Sequence, residues 1–204
     1  MLQLRTIDAR TLGLLTSLMQ EPVLANNFLV GGTALALQMG HRFSVDLDLF
    51  THAAFDAEPL LESLREKYKV QPLTITNTIF IVVVEGIKVD CVHFKYPFTF
   101  PLQHLDGIRM ADIRDIAPMK LDAVTKRGSK KDFFDMYYLF ERFSPQQVLQ
   151  WYDQMFQHST SFHVIRSLTY FDDAEQTETP IVFDKKVTWS EVKKRMIQIV
   201  RDNF

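Results

Sequence analysis

The stretch GGTALALQMGHRFSVDLDLF, residues 31–50, places two aspartates one residue apart in an otherwise apolar run. Apolar and polar positions alternate over residues 43–50, and this period of two predicts a β-strand. Asp46 and Asp48 are then expected on one face of the strand. A carboxylate that is removed from water is costly or becomes protonated unless a positive partner is present. The pattern therefore predicts a cation beside the two aspartates.

The spacing of these aspartates suits a divalent metal ion. Residues i and i+2 of a strand lie roughly 6 to 7 Å apart, at about 3.3 Å per residue, so both carboxylates can reach one ion. Mg²⁺ commonly takes one or two carboxylates together with water and substrate phosphate oxygens. The sequence thus predicts a Mg²⁺ site that a nucleotide completes, with Mn²⁺ as a substitute ion.

The residues before the aspartates predict a phosphate-binding turn. The apolar segment NFLV runs into Gly31 and Gly32, and strong helix formers begin near Thr33. Glycines let backbone N–H groups approach an anion, and a helix N-terminus favours negative charge. Triphosphate and metal ion would therefore meet in one pocket. His41, near the end of this helix, is interpreted as a partner of the helix dipole rather than as a base.

A third carboxylate is expected on a neighbouring strand. Asp90 lies within IKVDCVHF, which also alternates with a period of two. In a two-metal site, carboxylates from two strands hold ions about 3.5 to 4 Å apart, one activating the attacking hydroxyl and one stabilising the leaving group. The alternative is that Asp90 only forms an ion pair with Lys88.

The order of predicted elements divides the 204-residue chain into two parts. Strands are predicted at three places after the aspartates, residues 70–75, 78–85 and 87–94. Helical patterns dominate from about residue 111, and Pro118 and Gly128 mark the start and end of the first long helix. We predict an α+β fold: a small mixed sheet flanked by helices over residues 1–105, and a helical domain over residues 106–204.

Composition narrows the class of protein. The net charge of −2 argues against nucleic-acid binding by bulk electrostatics, and the basic run from Lys120 to Lys131 is typical of a solvated helix end. A single cysteine rules out an intrachain disulfide and suits a reducing compartment. The sequence has no signal-peptide pattern and no apolar run of about 18 residues. We therefore expect a cytoplasmic protein without a membrane partner.

Two motifs carry a resemblance to a known family. GGTALAL followed by GHRFSVDLDLF resembles the signature of the AbiEii/AbiGii nucleotidyltransferase toxins, a branch of the polymerase-beta-like nucleotidyltransferase superfamily. APMKLDAVTKRG followed by KKDFFD resembles the lysine helix and K-D-x-x-D motif of that family. The resemblance implies a nucleotidyltransferase sheet followed by a helical half. The implied enzyme transfers a nucleoside monophosphate from an NTP and releases pyrophosphate.

Taken with the arguments above, the resemblance gives three groups of candidate residues. The catalytic candidates are Asp46, Asp48, Lys120, Asp132 and Asp135. The nucleotide-binding candidates are Gly31, Gly32, Thr33, Arg42, Ser44, Lys120 and Arg127. The metal-binding candidates are Asp46, Asp48 and Asp90.

The spacing within the second motif indicates polar helix faces. Lys120 and Arg127 lie seven residues apart on one predicted helix, and Asp132 and Asp135 lie three apart on the next. The alternative is that these side chains form ordinary ion pairs on helix surfaces. Five nearby aromatic residues are predicted to pack in a helical core rather than to stack on bases: Phe133, Phe134, Tyr137, Tyr138 and Phe140.

The leading hypothesis is a Mg²⁺-dependent nucleotidyltransferase, the toxin of a bacterial toxin–antitoxin system. Its expected partners are an NTP, an RNA acceptor such as the 3′ end of tRNA, and a cognate antitoxin. One alternative is an NTP-binding regulatory module without catalysis. Another is nucleotidyl transfer to a small molecule or a protein hydroxyl, which the nearly neutral charge favours.

Overall fold

The computed structural model describes residues 1–157 and 161–204, which form two compact units. The unit that we call the sheet unit comprises residues 1–40 and 44–112. The unit that we call the helical unit comprises residues 41–43 and 113–204. No helix in the described ranges is both long and apolar enough to cross a membrane.

The sheet unit contains a mixed seven-stranded sheet and three α-helices. The helices are α1 (Ala9–Leu18), α2 (Gly31–Met39) and α3 (Ala57–Arg65). The strands are β1 (Phe28–Val30), β2 (Leu47–Thr51), β3 (Val70–Ile75), β4 (Ile79–Val84), β5 (Ile87–His93), β6 (Gln103–Leu105) and β7 (Ile108–Met110). Their order in the sheet is β3-β4-β5-β2-β1-β7-β6. This architecture confirms the predicted α+β class.

The two faces of the central strands differ in burial. Leu47 and Leu49 of β2 are 0% and 1% exposed, whereas the alternating residues Asp48 and Phe50 are half-buried. The period-two pattern of the sequence produces this difference, because alternate side chains of a strand point to opposite faces. One face therefore belongs to the hydrophobic core, and the other keeps access to solvent.

The strand that carries the aspartates is shorter than predicted. It begins at Leu47 rather than at residue 43, so Asp46 precedes it. The preceding residues 41–43 belong to the helical unit, where the backbone N–H of Phe43 donates to the Ile181 carbonyl at 2.8 Å. Residues 43–46 alternate as a strand does, but tertiary hydrogen bonds such as the one from Phe43 keep this part of the chain out of β2.

Two short strands follow the predicted end of the sheet. Strands β6 and β7 form a hairpin around Asp106 and Gly107, which have φ angles of 51° and 79°. The sheet consequently extends to Met110, beyond the predicted boundary at residue 105. Three-residue strands are too short to show a period, but Asp-Gly is a recognised hairpin signal.

The helical unit has six α-helices within its described residues. They are α4 (Ile113–Lys126), α5 (Lys130–Arg142), α6 (Pro145–Met155), α7 (Ser161–Ser167), α8 (Asp172–Glu175) and α9 (Trp189–Asn203). The prediction that Pro118 lies near a helix start was wrong, because α4 begins at Ile113 and includes the proline. Gly128 lies just beyond the end of α4 with a φ of 48°, as predicted for a helix stop. Phe133 and Phe134 are fully buried, which confirms their predicted place in the core.

Candidate active site

Two carboxylates lie side by side on the half-buried face of the sheet. Asp48 of β2 and Asp90 of β5 are register partners in a parallel strand pair. Side chains at paired positions share a face, and neighbouring strands lie about 4.8 Å apart. Both residues are half-buried. We call Asp48 and Asp90 the acidic pair.

The glycine turn touches the acidic pair. Val30 of β1 is paired with Asp48, and the next residue, Gly31, begins α2 with a φ of 67°. A Cβ added to Gly31 would lie 2.9 Å from Cγ of Asp48, which is closer than real contacts allow. Only glycine combines this φ with this proximity. The N-cap residue Val30 makes no side-chain hydrogen bond to the N-terminus of α2, where backbone N–H groups favour an anion.

The segment between α2 and β2 is braced from inside. Oγ1 of Thr33 donates to the Asp46 carbonyl at 2.5 Å and lies 2.9 Å from Oγ of Ser44. Thr33 is 1% exposed and Ser44 is 9% exposed. These hydroxyls therefore fix the backbone that leads into β2. Their predicted role in nucleotide binding, like the predicted role of Asp46 as a metal ligand, stays a prediction.

A lysine already lies against one member of the acidic pair. Nζ of Lys88 is 2.6 Å from Oδ1 and 2.5 Å from Oδ2 of Asp90. The Lys88 side chain is 43% exposed, so its ammonium can exchange this carboxylate for water at little cost. The ion pair named as an alternative for Asp90 is thus present, and it leaves the carboxylate within reach of another cation.

The acidic pair fits a metal ion that needs few protein ligands. Among residues 1–157 and 161–204, no three His, Cys, Asp or Glu side chains are grouped so that they could hold a metal ion. That result disfavours a complete protein cage. Mg²⁺ instead binds through one or two carboxylates, waters and substrate phosphates, which two adjacent aspartates can support.

The helical unit contains a second acidic site, which is buried. Asp135 has no exposed surface, and its Oδ1 accepts from Nε2 of His41 at 2.7 Å and from Nε of Arg42 at 2.6 Å. Its Oδ2 accepts from Nη2 of Arg42 at 2.9 Å and from Nζ of Lys120 at 2.7 Å. This one carboxylate on α5 therefore joins α4, through Lys120, to the segment of residues 41–43.

Asp132 completes the buried site. Its Oδ1 accepts from Lys120 at 3.2 Å and from Nη2 of Arg127 at 3.0 Å. Its Oδ2 accepts from Nε of Arg127 at 2.8 Å and from Oγ of Ser129 at 2.5 Å. Arg127 lies at the edge of this site, with 57% of its side chain exposed. We call the whole set the buried ion cluster: His41, Arg42, Lys120, Arg127, Asp132 and Asp135.

Burial and charge act in opposite directions on these groups. Burial alone would raise the pKa of Asp135, but Arg42 and Lys120 outweigh it and hold the pKa well below its ordinary value. The pKa of Asp132 is lowered in the same way by Lys120 and Arg127. Burial would lower the pKa of Lys120, and the two carboxylates reverse this and raise it. For His41 burial prevails, and its pKa is lowered.

Similarity to known proteins places the chain in a family. Residues 13–110 match the profile described as "Nucleotidyl transferase AbiEii toxin, Type IV TA system". An uncharacterised Aquifex aeolicus (strain VF5) protein, aq_aa25, is 32% identical over 173 residues, which cover 82% of either chain. The protein belongs to the AbiEii nucleotidyltransferase toxin family. This membership confirms the family resemblance, and the profile match covers the first of the two sequence motifs.

Solved structures show the same fold. MenT4, a nucleotidyltransferase toxin from Mycobacterium tuberculosis H37Rv, has a TM-score of 0.61 at 14% identity, with 96% of this chain and 86% of MenT4 covered. JHP933 from Helicobacter pylori has a TM-score of 0.53 at 17% identity, with 96% of this chain and 94% of that chain covered. As an AbiEii family member the protein is a nucleotidyltransferase, and the family implies an NTP substrate and a cognate antitoxin.

The structure thus sorts the predicted residues into two sets. Gly31, Asp48 and Asp90 come together in the sheet unit, whereas Asp46 lies before the start of β2. The candidates from the second motif, with Arg42, come together in the buried ion cluster. The role of His41 as a partner of Asp135 was not predicted, because nothing local shows that residues 41–43 pack with α5.

Proposed function

We propose that this protein is a Mg²⁺-dependent toxin that transfers a nucleoside monophosphate from an NTP to the 3′ end of an RNA such as tRNA. One observation carries the proposal. Asp48 and Asp90 are register partners on an accessible sheet face, in contact with a glycine turn at the start of a helix. Adjacent carboxylates are unfavourable without a cation, and the N-terminus of a helix favours an anion.

Asp48 and Asp90 are the residues that would hold the metal ion, with Asp46 as a further candidate from the segment before β2. When bound, Mg²⁺ supplies charge stabilisation at the phosphates and lowers the pKa of the attacking hydroxyl. The backbone N–H groups of Gly31 and Gly32 would hold the triphosphate against the helix start. Ile81, the register partner of Asp90 on β4, lines the same face and helps to keep water away.

The proposed step is an in-line displacement at the α-phosphorus. An acceptor hydroxyl oxygen forms the new P–O bond, and the bond between the α-phosphorus and the bridging oxygen breaks. Pyrophosphate leaves with that oxygen, and the hydroxyl proton passes to a carboxylate or to water. The fixed backbone at Gly31 and the adjacent β2 position the reactants before the reaction begins.

We propose a structural role for the buried ion cluster. Every carboxylate oxygen of Asp132 and Asp135 accepts from at least one donor inside the cluster. Lys120 is 4% exposed and already contacts both aspartates. Binding a triphosphate would require Lys120 to leave two buried carboxylates, which is strongly unfavourable. Lys120 as a direct triphosphate ligand is therefore the weaker hypothesis.

Labelled substrate tests the proposal directly. The protein is incubated with each α-³²P-labelled NTP, total RNA and Mg²⁺, and label in RNA is measured. We expect label in RNA from the wild type, none above background from Asp48→Asn, and wild-type label from Asp172→Asn, which removes an exposed charge of the helical unit. Label in protein or in a small metabolite would support the alternative acceptors. Mg²⁺-dependent NTP binding without transfer would support the regulatory module.

A further inference from the structure

An aromatic groove lies in the sheet unit, where β2 and β5 end. Its volume is about 500 Å³, and its lining includes His52, Phe94, Lys95 and Phe98. Phe94 and Phe98 are half-buried, and Lys95 is exposed. Neither the sequence motifs nor the proposed chemistry uses these residues. We call this region the aromatic groove.

The aromatic groove continues the face that carries the acidic pair. Phe50 follows Asp48 by two residues on β2, on the same face. Phe94 comes just after the end of β5, where its N–H donates to the Thr51 carbonyl at 2.8 Å and continues the strand pairing. The Phe50 and Phe94 rings have centroids 5.4 Å apart. At about 3.3 Å per residue, Phe50 lies roughly 7 Å along the strand from Asp48. An aromatic surface thus starts one side chain beyond the carboxylates.

The rings of the aromatic groove are held in place before any ligand arrives. Nδ1 of His52 donates to the Phe94 carbonyl at 2.9 Å, because that carbonyl can only accept. The His52 ring meets Phe98 edge-on with centroids 5.0 Å apart, and Phe94 and Phe98 are 5.8 Å apart. Half-buried, fixed aromatic rings beside an exposed lysine match the sites that stack unpaired bases.

The glycine turn and the aromatic groove flank the acidic pair. Strand β1 runs antiparallel to β2 and Val30 pairs with Asp48, so Gly31 lies at the N-terminal end of β2. His52 and Phe94 lie beyond the opposite ends of β2 and β5. In an in-line displacement, the attacking hydroxyl and the leaving pyrophosphate likewise lie on opposite sides of the α-phosphorus. Phosphate binding at Gly31 therefore leaves the aromatic side for the acceptor.

We infer that the aromatic groove stacks the terminal bases of a single-stranded RNA acceptor. The inference rests on the proposed function, because it takes the glycine turn as the site of the NTP. Stacking accepts any base and contributes affinity apart from phosphate contacts, which suits a chain with a net charge of −2. Lys95 is the cation placed to meet a phosphate of the same strand.

The test measures binding without turnover. Fluorescence anisotropy gives the Kd for a short 5′-labelled single-stranded RNA with a free 3′ hydroxyl, in Mg²⁺. We expect Phe94→Leu and Phe98→Leu, which keep an apolar side chain without a π face, to weaken binding about 5- to 150-fold. Phe94→Tyr, which keeps the aromatic face, should bind with wild-type affinity. Phe162→Leu, which removes a 69% exposed ring from α7, should change nothing. Thermal unfolding confirms that each variant folds.

Each outcome decides the inference separately from the proposed function. Asp48→Asn should bind the RNA but transfer no nucleotide. RNA binding that depends on Phe94, in a protein that transfers nothing, would sustain the aromatic groove and reject the proposed transfer. Equal Kd values for the wild type and both leucine variants would overturn the inference, as would no RNA binding by the wild type. A change in the KM for NTP without a change in the RNA Kd would assign the groove to the NTP base and also overturn it.

Discussion

The acidic pair of the sheet and the buried ion cluster of the helical unit use the same residue types in opposite surroundings. Asp48 and Asp90 are half-buried, and each has another carboxylate as its register partner. Asp132 and Asp135 have no exposed surface, and donors from Arg, Lys, His and Ser side chains meet all four of their oxygens.

This difference separates stability from the capacity to bind. A saturated carboxylate can take a new ligand only by giving up a buried partner, which is costly. Two like charges side by side repel each other, so a cation that binds between them stabilises both. We therefore interpret the buried ion cluster as a structural element and the acidic pair as the site of chemistry.

The largest effect is expected from Asp135→Asn. Arg42 and Lys120 would stay buried beside a neutral partner, so the free energy of unfolding should fall by about 3–5 kcal/mol. Urea unfolding measures this loss. The matched control is Asp122→Asn, whose carboxylate pairs with the 71% exposed Lys126 and should contribute no more than about 0.5 kcal/mol. A stable Asp135→Asn protein without transferase activity would reverse our interpretation of the two sites.

The opposite pattern is expected from Asp90→Asn. Transfer should fall at least about a hundredfold, because a group that stabilises charge in the transition state is lost. The free energy of unfolding should change by less than about 1 kcal/mol, since the Lys88 side chain that pairs with Asp90 is 43% exposed. Initial rates and urea unfolding give both quantities. Unchanged transfer would leave Asp90 as nothing more than a partner for Lys88.

Gly31→Ala should lower both stability and activity. The φ of 67° disfavours a side chain, and the new Cβ would displace the Asp48 carboxylate, so a loss of about 1–3 kcal/mol is expected. Thermal unfolding and transfer rates test this. Gly13→Ala is the control, because a Cβ at that helical position meets nothing within 4 Å and should stabilise α1. If both variants gained stability, the close contact with Asp48 would be disproved.

Acid should act on the buried ion cluster in two stages. The folded protein lowers the pKa of His41 from 6.5, so the unfolded chain binds protons more readily and stability falls as the pH drops below 6.5. Below pH 3.8 stability falls a second time, because the folded protein lowers the pKa values of Asp132 and Asp135 and the unfolded chain therefore binds protons more readily. Urea unfolding at a series of pH values measures both stages. His41→Gln should remove the first stage, and replacement of the exposed His104 by Gln should not.

The smallest effect is expected from Lys88→Met. The lysine competes with a metal ion for Asp90, and an exposed ion pair is worth about 0.2–1 kcal/mol. Its loss should lower the Mg²⁺ concentration for half-maximal transfer about two- to fivefold. Lys69→Met, which removes an exposed cation of the sheet unit that neither the acidic pair nor the aromatic groove uses, should leave the Mg²⁺ requirement unchanged. A higher Mg²⁺ requirement for Lys88→Met would contradict this competition.

Local patterns predicted part of the site well. The alternation around Asp48 and Asp90 sets which face each side chain takes, since a strand has a period of two whatever surrounds it. The helix near Thr33 follows from helix propensity, and the turn at Gly31 follows from its two glycines. The position of Asp46 was less well predicted, because hydrogen bonds from Thr33 and from distant backbone fix the chain before Leu47.

The second motif shows where local patterns stop. Lys120 and Asp132 have the spacing of surface ion pairs and also match a catalytic motif of the family. Their burial depends on Arg42, which lies 90 residues before Asp132 along the chain and reaches Asp135 through the crossing at residues 41–43. A local sequence pattern cannot predict this contact between Arg42 and Asp135, because the two residues lie far apart along the chain.

The sequence by itself determined the α+β class, the family and the pairing of aspartates with a glycine turn, because periodicity, propensity and motif order are local properties of the chain. Tertiary structure alone decided which carboxylates remain accessible. Burial and the number of donors around a charge arise from segments far apart in sequence, and these quantities distinguish the acidic pair from the buried ion cluster.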